Sequence, residues 1–555
     1  MPAGIERMIA WLFGPGPLER PGRLWPRWLF LRALAAIYFS AFFSLLFQVQ
    51  GLIGPRGILP AGGYLRLVYE QIGARGYWFV PTLLWFSASS TALNALCWAG
   101  LVASVLVFVN VWPRISLFVC WVVFLSFVAG LQDFSAYQSD GMLLEAGFIA
   151  LFFTPPGIRP GLGAAHTPSR ASTFLLLWEW FRIYFESGLV KIASGDPTWR
   201  NLTAMDEYYQ NGPLPTWLGW YAQHLPQRFH AATAGLTLFV ELFLVLLVFL
   251  PRRFRLALFF IVTPFEICII ATANYCFLNY LVLWLGILLI DDEFLTRFWT
   301  YARERGAAEL ARLKATRTVG SSSGDGNWPF VWPPLRRLAA LTLPAVCLSW
   351  VFYGTLALLL QPLSYVLRMP LLRLPEAPAR MIEPLQVANR YGLFANMTWK
   401  RFEIEFQGSD DGRDWIPYPY RFKPQHPERA PLLYAPYHPR FEWNLWFAML
   451  NSINEDPWVA SAEVRLLQAS PPVLALFAGN PFADHPPKLV RAVLYEYWFT
   501  DLETHRRTGL WWRREYLGRF GPTLTLGSDG RATLVELPDA NPPSPFRRDE
   551  APRNE

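Results

Sequence analysis

Charge is scarce in this 555-residue chain: Asp, Glu, Lys and Arg together make up 16% of it, against 53% hydrophobic residues. Soluble domains carry roughly 25% charge, so the balance is that of a membrane protein. Lysine is rarer still, with Lys191, Lys314, Lys400, Lys423 and Lys488 the only five among 49 basic residues. This arginine-for-lysine and Ala/Pro-rich bias points to a GC-rich bacterial genome. Cysteine is confined to Cys97, Cys120, Cys268, Cys276 and Cys347, in or beside apolar runs and without C-x-x-C, which argues against a disulfide framework and a thiol redox site. Seven histidines, His166, His224, His230, His426, His438, His485 and His505, show no H-E-x-x-H and no close ligand spacing, so no metal site is expected. No phosphate-binding or dinucleotide-binding glycine motif follows a strand, and no cofactor is expected. The formal charge of +7 does not point to nucleic acid, because the basic residues fall between apolar segments and not along one face.

What is abundant is apolar sequence in lengths near the roughly 20 residues that cross a bilayer. Candidate spans lie at 29–48, 92–112, 115–131, 141–154, 173–190, 230–250, 256–272, 277–290 and 338–362. The expectation is a polytopic α-helical membrane bundle of about nine spans, range about 7–10. Nine spans with an inside N-terminus place 18 Lys and Arg residues in inside segments and six in outside loops, in the sense of the positive-inside rule. The domains expected are a cytoplasmic tail at 1–28, a membrane part at 29–362 with an outer loop at 191–229 and a cytoplasmic loop at 291–337, an outer domain at 373–538 and a disordered Pro-rich tail at 539–555. The N-terminal 28 residues lack the apolar core of a cleavable signal, so the first span is expected to stay as a helix. A Gly/Ser linker at 316–327 contains GSSSG, a formal G-x-S-x-G match without the strand and helix that a nucleophile elbow requires.

Three charges stand inside one apolar run, STFLLLWEWFRIYFESGLV: Glu179, Arg182 and Glu186, spaced to share one helical face. The reading preferred is a self-neutralising ladder turned into the bundle, with a proton or substrate site as its alternative. Glu145, Glu241 and Glu266 are further intramembrane carboxylates without a nearby partner in sequence.

Beyond the last run the pattern changes to alternation. WKRFEIEFQGSDDGRDWIPYPYRF has period two on both sides of a D-G turn and reads as a β-hairpin. VLYEYWFTDLETHRRTGLWWRREYLGRF reads as a second pair of strands, while RFEWNLWFAMLNSIN and VASAEVRLLQASPPVLALFAGN read as helices. An α+β, β-rich domain on the membrane's extracytoplasmic face is expected.

Five blocks carry a resemblance: GLVKIASGDPTWRNLTAMDEYYQNGPLPTWLGWYAQHLP, NRYGLFANMTWKRFEIEFQGSDDG, APYHPRFEWNLWFAML, NPFADHPPKLVRAVLYEYWF and WWRREYLGRFGP. In this order they resemble the signature blocks of the lipase maturation factor family. The resemblance implies a membrane-embedded, chaperone-like factor that helps an exported client, such as a lipase, to fold and assemble. The odd number of spans with an inside N-terminus places the loop and the C-terminal domain on the outer face. In a bacterium an inner-membrane protein is therefore expected, in contact with the bilayer and with its C-terminal domain in the periplasm. Trp, Tyr and Arg are enriched at binding hot spots, so Trp199, Arg200, Asp206, Tyr208, His224, Tyr437, His438, Arg440, Glu442 and Trp443 are the candidates for client contact or for an internal interface. No catalytic residue is assigned. The competing expectation is a membrane enzyme similar in architecture to vitamin K-dependent carboxylases, acting on a lipid or quinone-like substrate, with Lys191, Glu186, His224 or His438 as acid or base.

Overall fold

The computed structural model describes residues 3–14, 22–135, 137–298, 335–369, 373–539 and 544–546. The Gly/Ser linker, most of the loop at 291–337, and the tail other than Asp539 and residues 544–546 lie outside the described residues. The helical part contains α1 (Leu24–Leu46), α2 (Ala61–Ile72), α3 (Ser90–Phe108), α4 (Pro113–Gly130), α5 (Gln138–Phe153), α6 (Arg170–Ala193), α7 (Trp217–Gln223), α8 (Gln227–Leu242), α9 (Arg252–Thr272), α10 (Leu278–Gly286) and α11 (Leu335–Val366). Six helices among the described residues are long and apolar enough to cross a membrane: α1, α3, α4, α8 extended to Phe249, α9, and α11 from Leu341.

Nine spans were expected; α5, α6 and α10 are not among these six. Helix α5 has 16 residues, twelve of them buried; α10 has nine residues; α6 carries Arg170, Glu179, Arg182, Glu186 and Lys191. Protein surrounds most of their residues. Helix α6 packs against α5, α8, α10 and α11, whereas only 17% of the apolar window of α9 is buried, which leaves its sides to lipid. Close packing at the centre relies on small residues. A Cβ on Gly147 of α5 would meet the Tyr38 hydroxyl at 2.0 Å, and that hydroxyl instead donates to the Leu143 carbonyl at 3.1 Å.

The C-terminal domain is built on an antiparallel sheet of β1 (Arg401–Ser409), β2 (Ile416–Pro417), β3 (Leu489–Phe499), β4 (Trp512–Arg519), β5 (Thr523–Leu526) and β6 (Ala532–Glu536). The strand order is β2-β1-β3-β5-β6, and β4 also pairs with β3. The hairpin read from the D-G turn is β1–β2, with Gln407 opposite Pro417. The second pair is β3–β4, joined through a helix at Leu502–Thr508. Both helices read from sequence are present, as α12 (Arg440–Ala448) and α13 (Trp458–Leu467), the latter followed by a separate turn of helix at Pro471–Leu474.

The alternation of β1 does not mean that one face meets water. All nine of its residues are buried. Phe402, Ile404 and Phe406 form the apolar face, where Phe406 stacks on Phe441 of α12 at 6.2 Å. The opposite face sets Arg401, Glu403 and Glu405 under Lys423 and Arg514: Glu403 pairs with both Arg401 and Lys423, and Glu405 lies 3.2 Å from Arg514. Buried charges are tolerated when they are paired, and each charge on this face has a partner of opposite sign. Burial pulls the Lys423 ammonium below its ordinary range, with the Glu403 carboxylate opposing that pull.

Glu463 of α13 is the exception. It is fully buried, and neither carboxyl oxygen has a well-formed hydrogen bond. A Cβ on Gly521 would come 2.4 Å from one of them. Burial pushes this carboxyl well above the usual carboxylate range, against a smaller pull from the Ala492 amide. The folded chain therefore keeps a proton there that the unfolded chain releases above about pH 4, so stability falls as pH rises through that point. Glu463→Gln keeps the shape and removes the titration. In thermal unfolding of the full chain in detergent, this variant is expected to match the wild type near pH 4 and to gain on it as pH rises above about 5; a difference that is the same at every pH would show an ionised Glu463.

Candidate functional site: a buried polar seam between bundle and domain

The residues singled out in sequence converge where the C-terminal domain sits on the helices. Arg440 opens α12 and points into the bundle, where Asp140 stands in the first turn of α5. Its two terminal nitrogens donate to the two Asp140 oxygens at 2.8 and 2.7 Å, and one also donates to the Phe134 carbonyl at 2.9 Å. Both side chains are fully buried. A carboxylate in the first turn is further favoured by the helix dipole. Gln48, just after α1, donates to the His438 carbonyl at 2.9 Å and accepts from the Phe441 amide at 3.3 Å.

The neighbours of Arg440 shape this joint. His438 has no hydrogen bond at either ring nitrogen and is enclosed by Tyr137, Phe277 and Trp443. Burial, reinforced by the Arg440 guanidinium, holds it well below the ordinary histidine range, as a neutral ring. Glu442 accepts three backbone amides, Arg421 at 2.8 Å, Phe422 at 2.8 Å and Lys423 at 2.6 Å, and so fixes the turn that follows β2. Tyr437 is half-buried, its ring against Phe422 and Phe43.

The loop at 191–229 is threaded through the same joint. Lys191 lies 2.8 Å from both oxygens of Glu241 on α8, and its ammonium sits 5.0 Å over the Trp199 ring. Trp199 is buried and donates to the Phe394 carbonyl at 2.9 Å. Tyr208 packs on Phe394, and Asp206 is 3.5 Å from His230. The two nitrogens of His224 lie 2.7 Å from the Trp220 carbonyl and 2.9 Å from the Thr500 carbonyl, bridging loop and domain. Arg200 alone among the ten candidates is exposed.

The charge ladder is realised in part. Arg182 pairs with Glu145 across helices and lies 3.7 Å from Glu186. Glu145 also accepts from the Tyr391 hydroxyl at 2.8 Å and Glu186 from the Tyr391 amide at 2.7 Å, so the strap after α11 is bound into the ladder. Neither oxygen of Glu179 has a hydrogen-bond partner. Asp140, Asn389 and Tyr391 were not picked out from sequence; the NRYG stretch that opens one of the five blocks was the available signal for two of them. Among the described residues no group of three or more His, Cys, Asp or Glu side chains is placed to hold a metal ion.

Removing one partner of a buried pair leaves an uncompensated charge, whereas removing both can be nearly neutral. Arg440→Met is therefore expected to destabilise the chain by about 3–5 kcal/mol, and Asp140→Leu combined with Arg440→Met to recover most of that loss. Unfolding midpoints of the purified full chain in detergent measure both; a single variant as stable as the wild type would show that the seam does not depend on this pair.

Comparison with known proteins matches the two halves of the seam separately. The lipase maturation factor transmembrane domain matches residues 25–297, which hold Asp140, Glu145, Arg182, Lys191 and the loop. The lipase maturation factor C-terminal domain matches residues 387–522, which hold Asn389, Tyr391 and Arg440. Lipase maturation factor 2 of Gallus gallus is 33% identical over 94% of this chain and 85% of its own length. The Homo sapiens lipase maturation factor 2 is 32% identical over 93% of this chain and 85% of its own length. Lipase maturation factor 1 of Homo sapiens is 30% identical over 92% of this chain and 91% of its own length. No solved structure matches. Nothing in these matches supports the carboxylase-like alternative, and the chain, an integral membrane protein with several spanning helices, belongs to the lipase maturation factor family.

Proposed function

We propose that this protein assists the folding or assembly of an exported lipase, acting from a bacterial inner membrane with the loop at 191–229 and the C-terminal domain on the periplasmic side. The observation that carries the reading is the alignment with the relatives named lipase maturation factor, which runs through membrane part and C-terminal domain alike. The excess of Arg and Lys in the opposite loops supports the sidedness. The buried charges of the seam are engaged with one another, so they serve to hold a surface in place. Client contact in this reading falls to the exposed surface around Arg200, with Trp199, Asp206, Tyr208, His224, Tyr437, His438, Arg440, Glu442 and Trp443 supporting it from beneath.

Deletion of the gene in the source organism is expected to leave the exported lipase present as protein but with its activity per molecule reduced to background, as read by assay and immunoblot of the same fraction. Unchanged activity per molecule would sink the reading. Complementation with Arg200→Glu is expected to cost client binding about 1–2 kcal/mol, roughly 5–30-fold in affinity, in pull-down of the lipase with the full-length protein.

A further inference from the structure

The connection from α1 to α3 is too apolar for a loop in water. Between residues 61 and 88 it carries only three charges, Arg66, Glu70 and Arg75. The segment folds back on itself. Helix α2 turns Ala61, Leu65 and Val68 inward, and Val68 and Trp85 close over Gly76, where a Cβ would meet them at 3.1 and 3.4 Å. With those residues used internally, the other face is left to its surroundings: Leu67, Tyr69, Trp78, Phe79 and Phe86 are all at least half exposed, Phe86 at 87%.

The depth of this face is set by its anchors. Thr82 donates to the Ser126 carbonyl at 2.8 Å, the Leu83 amide donates to the Ser126 hydroxyl at 3.1 Å, and Leu84 fills the space over Gly130, the last residue of α4. At the other end of the segment, Gln132 donates to the Leu59 carbonyl at 3.0 Å. Both ends are thus tied to the final turn of a membrane-crossing helix, the level at which such a helix leaves the hydrocarbon. The exposed apolar sides of the neighbouring spans continue toward it, through Phe43 and Phe47 on and after α1 and Trp98 and Val102 on α3.

We propose that residues 61–86 form an interfacial element whose exposed aromatic face lies in the headgroup–acyl boundary of the bilayer. Helices of this kind lie in the membrane plane, and Trp and Tyr concentrate at that level because their rings are apolar with a polar edge. Arg66 and Arg75 flank the face and reach toward lipid phosphates. The segment 49–59 that precedes it also meets the C-terminal domain, through Ser470 to the Arg56 carbonyl at 2.7 Å and Arg465 to the Gly57 carbonyl at 2.8 Å. The same connection thereby fixes the height of the C-terminal domain above the membrane.

The test uses nitroxide labels on Phe79→Cys and, separately, Leu67→Cys and Phe86→Cys, each in the full chain carrying Cys268→Ser and Cys347→Ser. The protein is reconstituted in vesicles of phosphatidylcholine and phosphatidylglycerol, and collision with oxygen is compared with collision with a water-soluble nickel complex. The labels are expected about 5–10 Å below the phosphate level, while a label on Asp529→Cys in the turn between β5 and β6 reports water. Labels at 67, 79 and 86 that collide with nickel as freely as the one at 529 would overturn the proposal and leave the face as a protein-docking surface. Three separate label sites keep the test decisive if one variant fails to fold.

Discussion

The pair between Arg440 and Asp140 is the constraint on which the arrangement of this molecule turns. A guanidinium and a carboxylate at zero exposure are each costly to desolvate, and their two short parallel hydrogen bonds offset that cost only while bundle and domain are in contact. Moving the domain off the helices would leave both charges in an apolar setting or require water to enter. The joint is therefore all-or-none. Around it the same logic recurs: Arg182 with Glu145, Lys191 with Glu241, and the Tyr391 strap across Glu145 and Glu186. Each ties a different stretch of chain to the centre of the bundle.

This seam explains why the loop at 191–229 is so dense in charge and aromatics. A loop that only had to turn in water would need neither Trp199 under Lys191 nor His224 between two carbonyls. Here the loop is packed on both sides, and every buried polar backbone group it brings has to find a partner. Asn211 donates to the Thr398 carbonyl at 2.7 Å, Trp446 donates to the Asn211 carbonyl at 3.0 Å, and Arg401 donates to the Gln210 carbonyl at 2.8 Å. Composition that looks like a binding surface is also what an internal polar interface requires.

That ambiguity marks the limit of what was legible in the sequence. The lipid-facing helices were readable because their apolarity has one cause, and the β-hairpin because a D-G turn sits between two alternating runs. Helices α5, α6 and α10 are where the count was least legible, because hydropathy does not separate burial by lipid from burial by protein. The alternation of β1 was read correctly as a strand, but the partners of its polar face, Lys423 and Arg514, lie outside the strand and could not be read from it. Spacing suggested that Arg182 would serve Glu179 and Glu186. It serves Glu145 first, from another helix, and leaves Glu179 without a hydrogen bond. Arg440 and Asp140 are 300 residues apart, so nothing local could have joined them.

Most of the groups weighed for acid or base roles are engaged or enclosed within the seam, and this bears on how it holds together. Acid–base catalysis needs a titratable group within reach of a substrate, but His438 is a neutral ring closed in by Tyr137, Phe277 and Trp443. Lys191 is held by Glu241, and Glu186 by the Tyr391 amide. A folding assistant needs the opposite of such a site. It must present a surface that keeps its shape while a less ordered partner changes, and rigidity of that kind comes from interfaces that cannot open in part. On this argument the seam contributes by being inaccessible: the C-terminal domain and the loop at 191–229 are held at one height and one angle.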